Sequence, residues 1–319
     1  MLARIAHELY WLGRNVARAE HSARMLDGIF LAELQGQPDA PAGVMLSWGS
    51  LLAIMGSSSP DASRERMLDT LALDPDQPTS VRASVTRARE GARTVRDVIS
   101  AEMWESINTF HLDFDERTAL DVGPYGLASY VKGRSALFWG VASRTMLRDE
   151  AFAFLEAGGR YESADMVLRM LRVALPPVRE GDEDGSSPLR DGQALALLHA
   201  VGGVQAYRRA VPEPPNAVPV ARFLLFTRSY PDSVAASVDA VRRALTAADA
   251  DPRSSEPVLR LSRLSADLEF RGGGVAGAGD DLIEVCEIVE RELAAADRDI
   301  CERYFGGAAA AEHLVAHAP

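Results

Sequence analysis

The chain has 319 residues, 47% hydrophobic and 25% charged, with a formal net charge of −12. That is ordinary for a globular protein with ample chain for a core, in one large domain or two packed closely together. The acidity argues against nucleic acid as the main partner, because neutralising phosphates needs a net basic face.

The opening segment, MLARIAHELYWLGRN, is interrupted by charges and lacks the apolar core of a secretory signal. No stretch approaches the roughly 20 apolar residues of a membrane span. Ile5, Leu9, Leu12, Val16, Ala19, Ala23 and Leu26 recur at helical spacing and predict an amphipathic helix. Opposite them lie His7, Arg14, Arg18 and His21, which read either as the wet side of that helix or as a docking face for an acidic partner. Glu20 and Arg24 form an i,i+4 pair. Gln35–Gly43, Ser57–Ala62 and Asp74–Pro78 carry loop composition.

Pro78-Thr79-Ser80 offers caps for a helix running to about Phe110, with Val81, Val85, Ala88, Ala92, Val95, Ile99 and Met103 on its apolar side. Arg82, Arg89, Arg93 and Arg96 cluster to one side of that stripe. Arginine forks bind carboxylates and phosphates bidentately, so the cluster is a candidate anion site. Solvated charge that has drifted is the alternative, since the corresponding later segment keeps only Arg242. Gly123-Pro124 then introduces a long, largely apolar segment, Tyr125 to Arg148, with Gly126, Gly133 and Gly140 seven apart.

Phe154, Ala157, Tyr161, Ala164, Leu168 and Leu171 predict a further amphipathic helix, on which Asp165 and Arg169 form a second i,i+4 pair. Glu180–Asp191, Val211–Pro219 and Gly272–Gly279 read as connections, and Tyr230 to Ser233 as another capped helix start. Cys286 and Cys301 share one helical stretch, which keeps them about 22 Å apart and precludes a disulfide. Gly306 to Pro319 reads as a flexible tail. No hairpin-like alternation occurs, so the fold class is all-α. The expected compartment is the cytoplasm.

Three segments return in order. Leu9–Leu26 is echoed by Phe154–Leu171 at an offset of 145, Leu51–Gly56 by Leu197–Gly202 at 146, and Ser80–Val85 by Ser233–Val238 at 153. The period exceeds that of solenoid repeats. We read an internally duplicated multi-helix bundle with two pseudo-repeats of about 150 residues: residues 1–147, residues 148–305 packed on the first as one body, and the tail 306–319. Gly13 and Gly158 stand mid-helix in both copies despite a cost of about 1 kcal/mol, which implies close helix approach.

Chemical motifs are sparse. His313-x3-His317 with Glu312 lies in the tail and lacks a third anchored ligand, and no Glu-x-x-His pair occupies a core helix, so no metal is expected. No Gly-x-Ser-x-Gly elbow or phosphate-binding loop is present, and no cofactor is expected. Trp11, Trp48, Trp104 and Trp139 all fall in the first half, pointing to a better packed or more interactive half.

Ile5–Asp27, Arg87–Asn108, Arg148–Leu171 and Phe223–Val234 together resemble the bacterial alpha-E family, helical proteins named for a repeated Glu-Arg dipeptide. Each dipeptide is half lost. Ala17 precedes Arg18 where Glu is expected, while Gly159 and Ser163 stand where arginines are expected around Glu162. The resemblance implies companionship with circularly permuted ATP-grasp proteins and transglutaminase-like proteins in making or trimming peptide-like amides.

The expected role is a non-catalytic accessory subunit that docks the ligase or holds its peptide substrate. Arg14, Arg18, Arg89, Arg93 and Arg96 would meet acidic or phosphate groups. Arg18 and Glu162 are also placed to pair across the halves. The alternatives are an enzyme making or cleaving amides with Glu20, Glu162 or Asp165 as general base, and a structural homo-oligomer.

Overall fold

The computed structural model describes residues 1–34, 51, 54, 68–116, 119–174, 188–273 and 282–306. The described residues form helices, with no strand among them. The candidate ligands Glu312, His313 and His317, with Trp48, lie outside the described residues, as do most of the first three connections but Asp74–Pro78.

The longest helix, α1 (Ala3–Leu34), is the axis of the molecule. Around it pack α2 (Val81–Thr94), α4 (Ala119–Thr145), α5 (Glu150–Ala174), α6 (Pro188–Ala200) and α11 (Leu282–Phe305). The α1–α5 interface is the most extensive. A second layer continues from α5: α8 (Ala217–Phe226), α9 (Val234–Ala248) and α10 (Glu256–Gly272) stack in turn, while α7 (Val204–Ala210) follows α6. Buried apolar residues form one cluster from Ala6 to Phe305, so segments from both ends of the chain share a core.

α1 and α5 run in the same direction. The Met1 amino group meets Glu150 at their starts, and His21 meets Ser163 further along. Two glycines permit the approach. A Cβ on Gly158 would overlap the Tyr10 carbonyl, and a Cβ on Gly13 would overlap the Leu155 carbonyl. Both glycines therefore accept their cost in helix propensity because any side chain would strike backbone.

Two matching serines begin α2 and α9. Ser80 Oγ accepts a hydrogen bond from Ala83 N (3.0 Å) and donates to the Asp74 carbonyl (2.6 Å). Ser233 Oγ accepts from Ala236 N (3.1 Å) and donates to the Thr227 carbonyl (2.8 Å). Each cap thus satisfies a helix N–H and ties the helix to the preceding loop.

The helix expected from Ser80 to Phe110 is two helices. α2 ends at Thr94, and α3 (Ala101–Glu116) begins after a turn in which Val98 and Ile99 N–H both bond the Val95 carbonyl. Ser100 Oγ accepts from Met103 N at 3.1 Å and restarts the helix, a cap embedded in a continuous apolar periodicity. α4 bends at Gly123, whose φ of 66° and ψ of 172° are non-helical. Pro124 disfavours the helical conformation in the residue before it, and glycine tolerates the positive φ. Gly133 and Gly140 open onto free space, so the seven-residue glycine spacing on α4 is not a packing seam.

Candidate functional site

The α1 residues expected on a wet face are inside. Arg14, Arg18 and His21 are only 4–5% exposed, and His7 is 9% exposed. The physical reason is the central position of α1, which has helices on several sides and so has no solvent side along this stretch. A buried arginine is tolerated only when paired, and both arginines are.

Glu162, 1% exposed, arrives from α5. Arg14 Nε donates to its Oε2 at 2.9 Å. Arg18 donates Nε to Oε1 at 2.6 Å and Nη2 to Oε2 at 3.0 Å. Arg14 Nη1 also bonds both oxygens of Asp297 on α11, at 3.1 and 3.2 Å, and Tyr10 OH donates to Asp297 Oδ1 at 2.7 Å. The Arg14 guanidinium sits 4.5 Å from the Trp11 ring centre and 4.4 Å from that of Tyr161. Three helices distant in sequence are thereby clasped by one charge cluster.

The electrostatics follow from this arrangement. Burial alone would raise the Glu162 carboxyl, but the Arg18 and Arg14 guanidiniums outweigh it and hold the group well below the usual carboxylate range. Burial would likewise lower Arg14, yet Asp297 and Glu162 reverse the sign and raise it. The Tyr10 and Tyr161 hydroxyls are pushed well up, first by burial and then by Asp297.

These positions correct two expectations. Arg14 and Arg18 are not open to an outside anion, because Glu162 and Asp297 already occupy them. Glu162 is a poor general base, because its ionised form is stabilised rather than strained.

The other candidates lie elsewhere. Asp165 stands 2.9 Å from Arg169 as an ion pair on the same helix. Glu20 Oε1 accepts from Arg24 Nε and Nη2 at 3.0 and 2.7 Å. Arg89 and Arg93 are on α2, whereas Arg96 falls in the turn after it, because the helix ends early. Arg89 donates to Asn108 and Glu90, and Arg93 to Glu90. Arg89 and Arg96 both approach Trp104, their guanidiniums 5.8 and 5.0 Å from its ring centre. This arginine edge is on the surface, with Arg93 and Arg96 exposed.

A cleft of about 720 Å³ opens beside the clasp, between α1, α4, α5 and α9 with the loop before it. Its inner wall holds Ala17, His21, Gly159 and Ser163, with Trp139 lying across Gly159. His21 Nε2 and Ser163 Oγ are 3.1 Å apart. The rim carries charges of both signs, among them Glu156, Arg160 and Asp232. No cysteine takes part: Cys286 and Cys301 are buried on α11 and form no disulfide, and burial, with Asp297 adding, pushes the Cys301 thiol up to about 12.

Sequence reasoning missed Asp297, Tyr10, Tyr161 and the cleft. Asp297 flanks the apolar stripe of α11 next to Ala296, a position that reads as boundary rather than core. The three described tryptophans are half-buried: Trp11 and Trp104 face arginines, and Trp139 lines the cleft.

The family model for Alpha-E, described as a predicted alpha-helical domain with a conserved ER motif, matches residues 1–305. An uncharacterised protein of Mycobacterium bovis and two of Mycobacterium tuberculosis are each 24% identical to the chain over 291 residues. The matches take in 83% of this chain and 32% of each relative, so the chain spans about a third of their length. No solved structure matches significantly.

Proposed function

Because the chain belongs to the Alpha-E family, we propose that it is a non-catalytic accessory subunit of an amide- or peptide-ligating system. Its partner in this reading is a circularly permuted ATP-grasp protein in the cytoplasm, with a transglutaminase-like protein as a second associate. The partner supplies ATP chemistry. The chain docks it through the exposed edge of Arg89, Arg93 and Arg96, and holds a peptide-like substrate in the cleft.

The observation that carries this reading is the Arg14–Arg18–Glu162 clasp. What remains of the Glu-Arg signature here joins helices, with its carboxylate fixed in the ionised state. A charge held that way positions helices and does not exchange protons at neutral pH.

The duplicated architecture belongs to the same reading, with residues 1–147 and 148–305 as the two units. The reciprocal glycine contacts of Gly13 and Gly158 and the matching caps of Ser80 and Ser233 support it.

One observation favours the alternative of an enzyme acting on amides. It is the His21–Ser163 contact on the cleft wall, a hydroxyl within reach of an imidazole. Purification of the tagged chain from its native cells, with bound proteins identified by mass spectrometry, separates the readings. A stoichiometric ATP-grasp companion is the expected result. Recovery of the chain alone, with amide-cleaving activity that Ser163→Ala abolishes, would establish the alternative.

A further inference from the structure

The sequence match at an offset of 145 pairs Arg14 with Gly159, Arg18 with Ser163 and Ala17 with Glu162. The α1 members of the first two pairs with the α5 member of the third make one triad, and the remaining three residues make the other. Arg14, Arg18 and Glu162 are the closed clasp. Gly159, Ser163 and Ala17 are their counterparts, and all three line the 720 Å³ cleft. Two guanidiniums and a carboxylate on one side of the α1–α5 contact are answered on the other by a hydrogen, a hydroxyl and a methyl group.

The groups left around this space form an acceptor set. Glu156 has no ion-pair or hydrogen-bond partner among the described residues. Glu20 receives Arg24 at Oε1 only, leaving Oε2. His21, 4% exposed, has its Nδ1 buried without a partner. In the tautomer that donates Nε2–H to Ser163 Oγ, that Nδ1 is an acceptor.

The rim cations are already engaged. Arg160 bonds the Pro231 carbonyl and Asp232, Arg243 bonds Asp239, and Arg148 bonds Ser143. Asp149 is also in use, accepting from Ala151 and Phe152 N–H at the start of α5. Each of these guanidiniums thus has a hydrogen-bond partner within the chain while Glu156 has none among the described residues, and Trp139 supplies an aromatic face of the kind a further cation stacks on.

We propose that the cleft binds a guanidinium-bearing ligand, an arginyl side chain of a peptide, in the space where the second triad's own arginines are missing. The ligand's fork lies between Glu156 and Glu20 and stacks on Trp139. A planar fork satisfies several acceptors at once, which a point-like ammonium does less well. The peptide backbone leaves through the open rim. This deepens the reading of the cleft as a holding site. It is independent of which protein docks at the arginine edge.

The test uses the purified full chain and three probes: the N-acetyl amides of L-arginine, of its neutral near-isostere L-citrulline, and of L-lysine. Binding is followed by calorimetry and by tryptophan fluorescence. The arginine probe is expected to bind saturably and at least about tenfold more tightly than neutral citrulline, with lysine weaker than arginine. Glu156→Gln is expected to remove about tenfold of the arginine affinity with thermal stability unchanged, because Glu156 makes no hydrogen bond or ion pair among the described residues.

Equal affinity for arginine and citrulline overturns the proposal, as does the absence of saturation by the arginine probe. Lysine binding as tightly as arginine overturns the assignment to a guanidinium. None of these results bears on capture of an ATP-grasp companion, so a failure here is distinguishable from failure of the accessory reading.

Discussion

Arg18 grips Glu162 with two hydrogen bonds, at 2.6 and 3.0 Å, across 144 residues of chain. Because Arg14 bonds the same carboxylate and also Asp297, this pair links α1, α5 and α11 through a single buried charge network. Buried ion pairs are costly to assemble and more costly to break, since removing one partner strands the other.

Glu162→Gln should therefore destabilise the protein by about 3–5 kcal/mol, because two buried guanidiniums lose their shared counter-charge. Urea unfolding followed by circular dichroism measures this. A loss below about 1 kcal/mol, typical of a surface pair, would show that the clasp does not hold the fold together.

The same carboxylate sets an acid limit. Folded Glu162 lies well below the ordinary value of 4.5, and Asp249 lies below 3.8, held there first by the hydrogen bond from Arg303. The unfolded chain therefore binds more protons in acid, and stability rises with pH there. The contribution is present in full above the unfolded values and is lost as pH falls below about 4.5 toward the folded ones. Urea midpoints should be level between about pH 6 and 8 and drop steeply below about 4.5. In Glu162→Gln the acid slope should be shallower. An unchanged slope would place the linkage elsewhere.

Gly158→Ala offers a test in which two effects oppose. Helix propensity favours alanine by about 1 kcal/mol. The new methyl group, however, overlaps the Tyr10 carbonyl, which belongs to backbone and cannot rotate away. The clash should win, with a net loss of about 1–3 kcal/mol or more. Gly133→Ala, which meets open space, should be neutral or stabilising. Thermal unfolding of both variants decides the comparison.

Arg93→Ala combined with Arg96→Ala should weaken binding of the ATP-grasp partner while shifting stability by no more than about 0.5 kcal/mol, as for exposed sites in general. Arg93 is 65% exposed and, among the described residues, pairs only with Glu90 on its own helix. Partner affinity equal to that of the unsubstituted chain would remove this edge from the account.

The helical class, and the close α1–α5 contact, were legible in the sequence. Period-3.6 stripes at Ile5–Leu26 and Phe154–Leu171 identify the two central helices, and Gly13 and Gly158 mark their contact. The exposure of the polar stripe was not legible. Periodicity assigns His7, Arg14, Arg18 and His21 to a face opposite the apolar one, and only the number of neighbours around α1 decides whether that face is wet. Those neighbours come from far along the chain, as with Asp297, 283 residues from Arg14. The break at Val95–Ser100 was missed because the apolar stripe continues through it, and only the Ser100 cap marks the restart. The cleft had a faint signal, in that Ala17, Gly159 and Ser163 are small where their counterparts are charged.

The account stands or falls on whether the chain acts through a partner. The direct measurement is ATP-dependent amide formation by the purified ATP-grasp companion, alone and with the chain, against the chain by itself. The account predicts no turnover by the chain alone and a faster reaction in the mixture than with the ligase alone, an increase that Arg93→Ala with Arg96→Ala reduces. A mixture no faster than the ligase alone, or amide turnover by the chain without a partner, would contradict it.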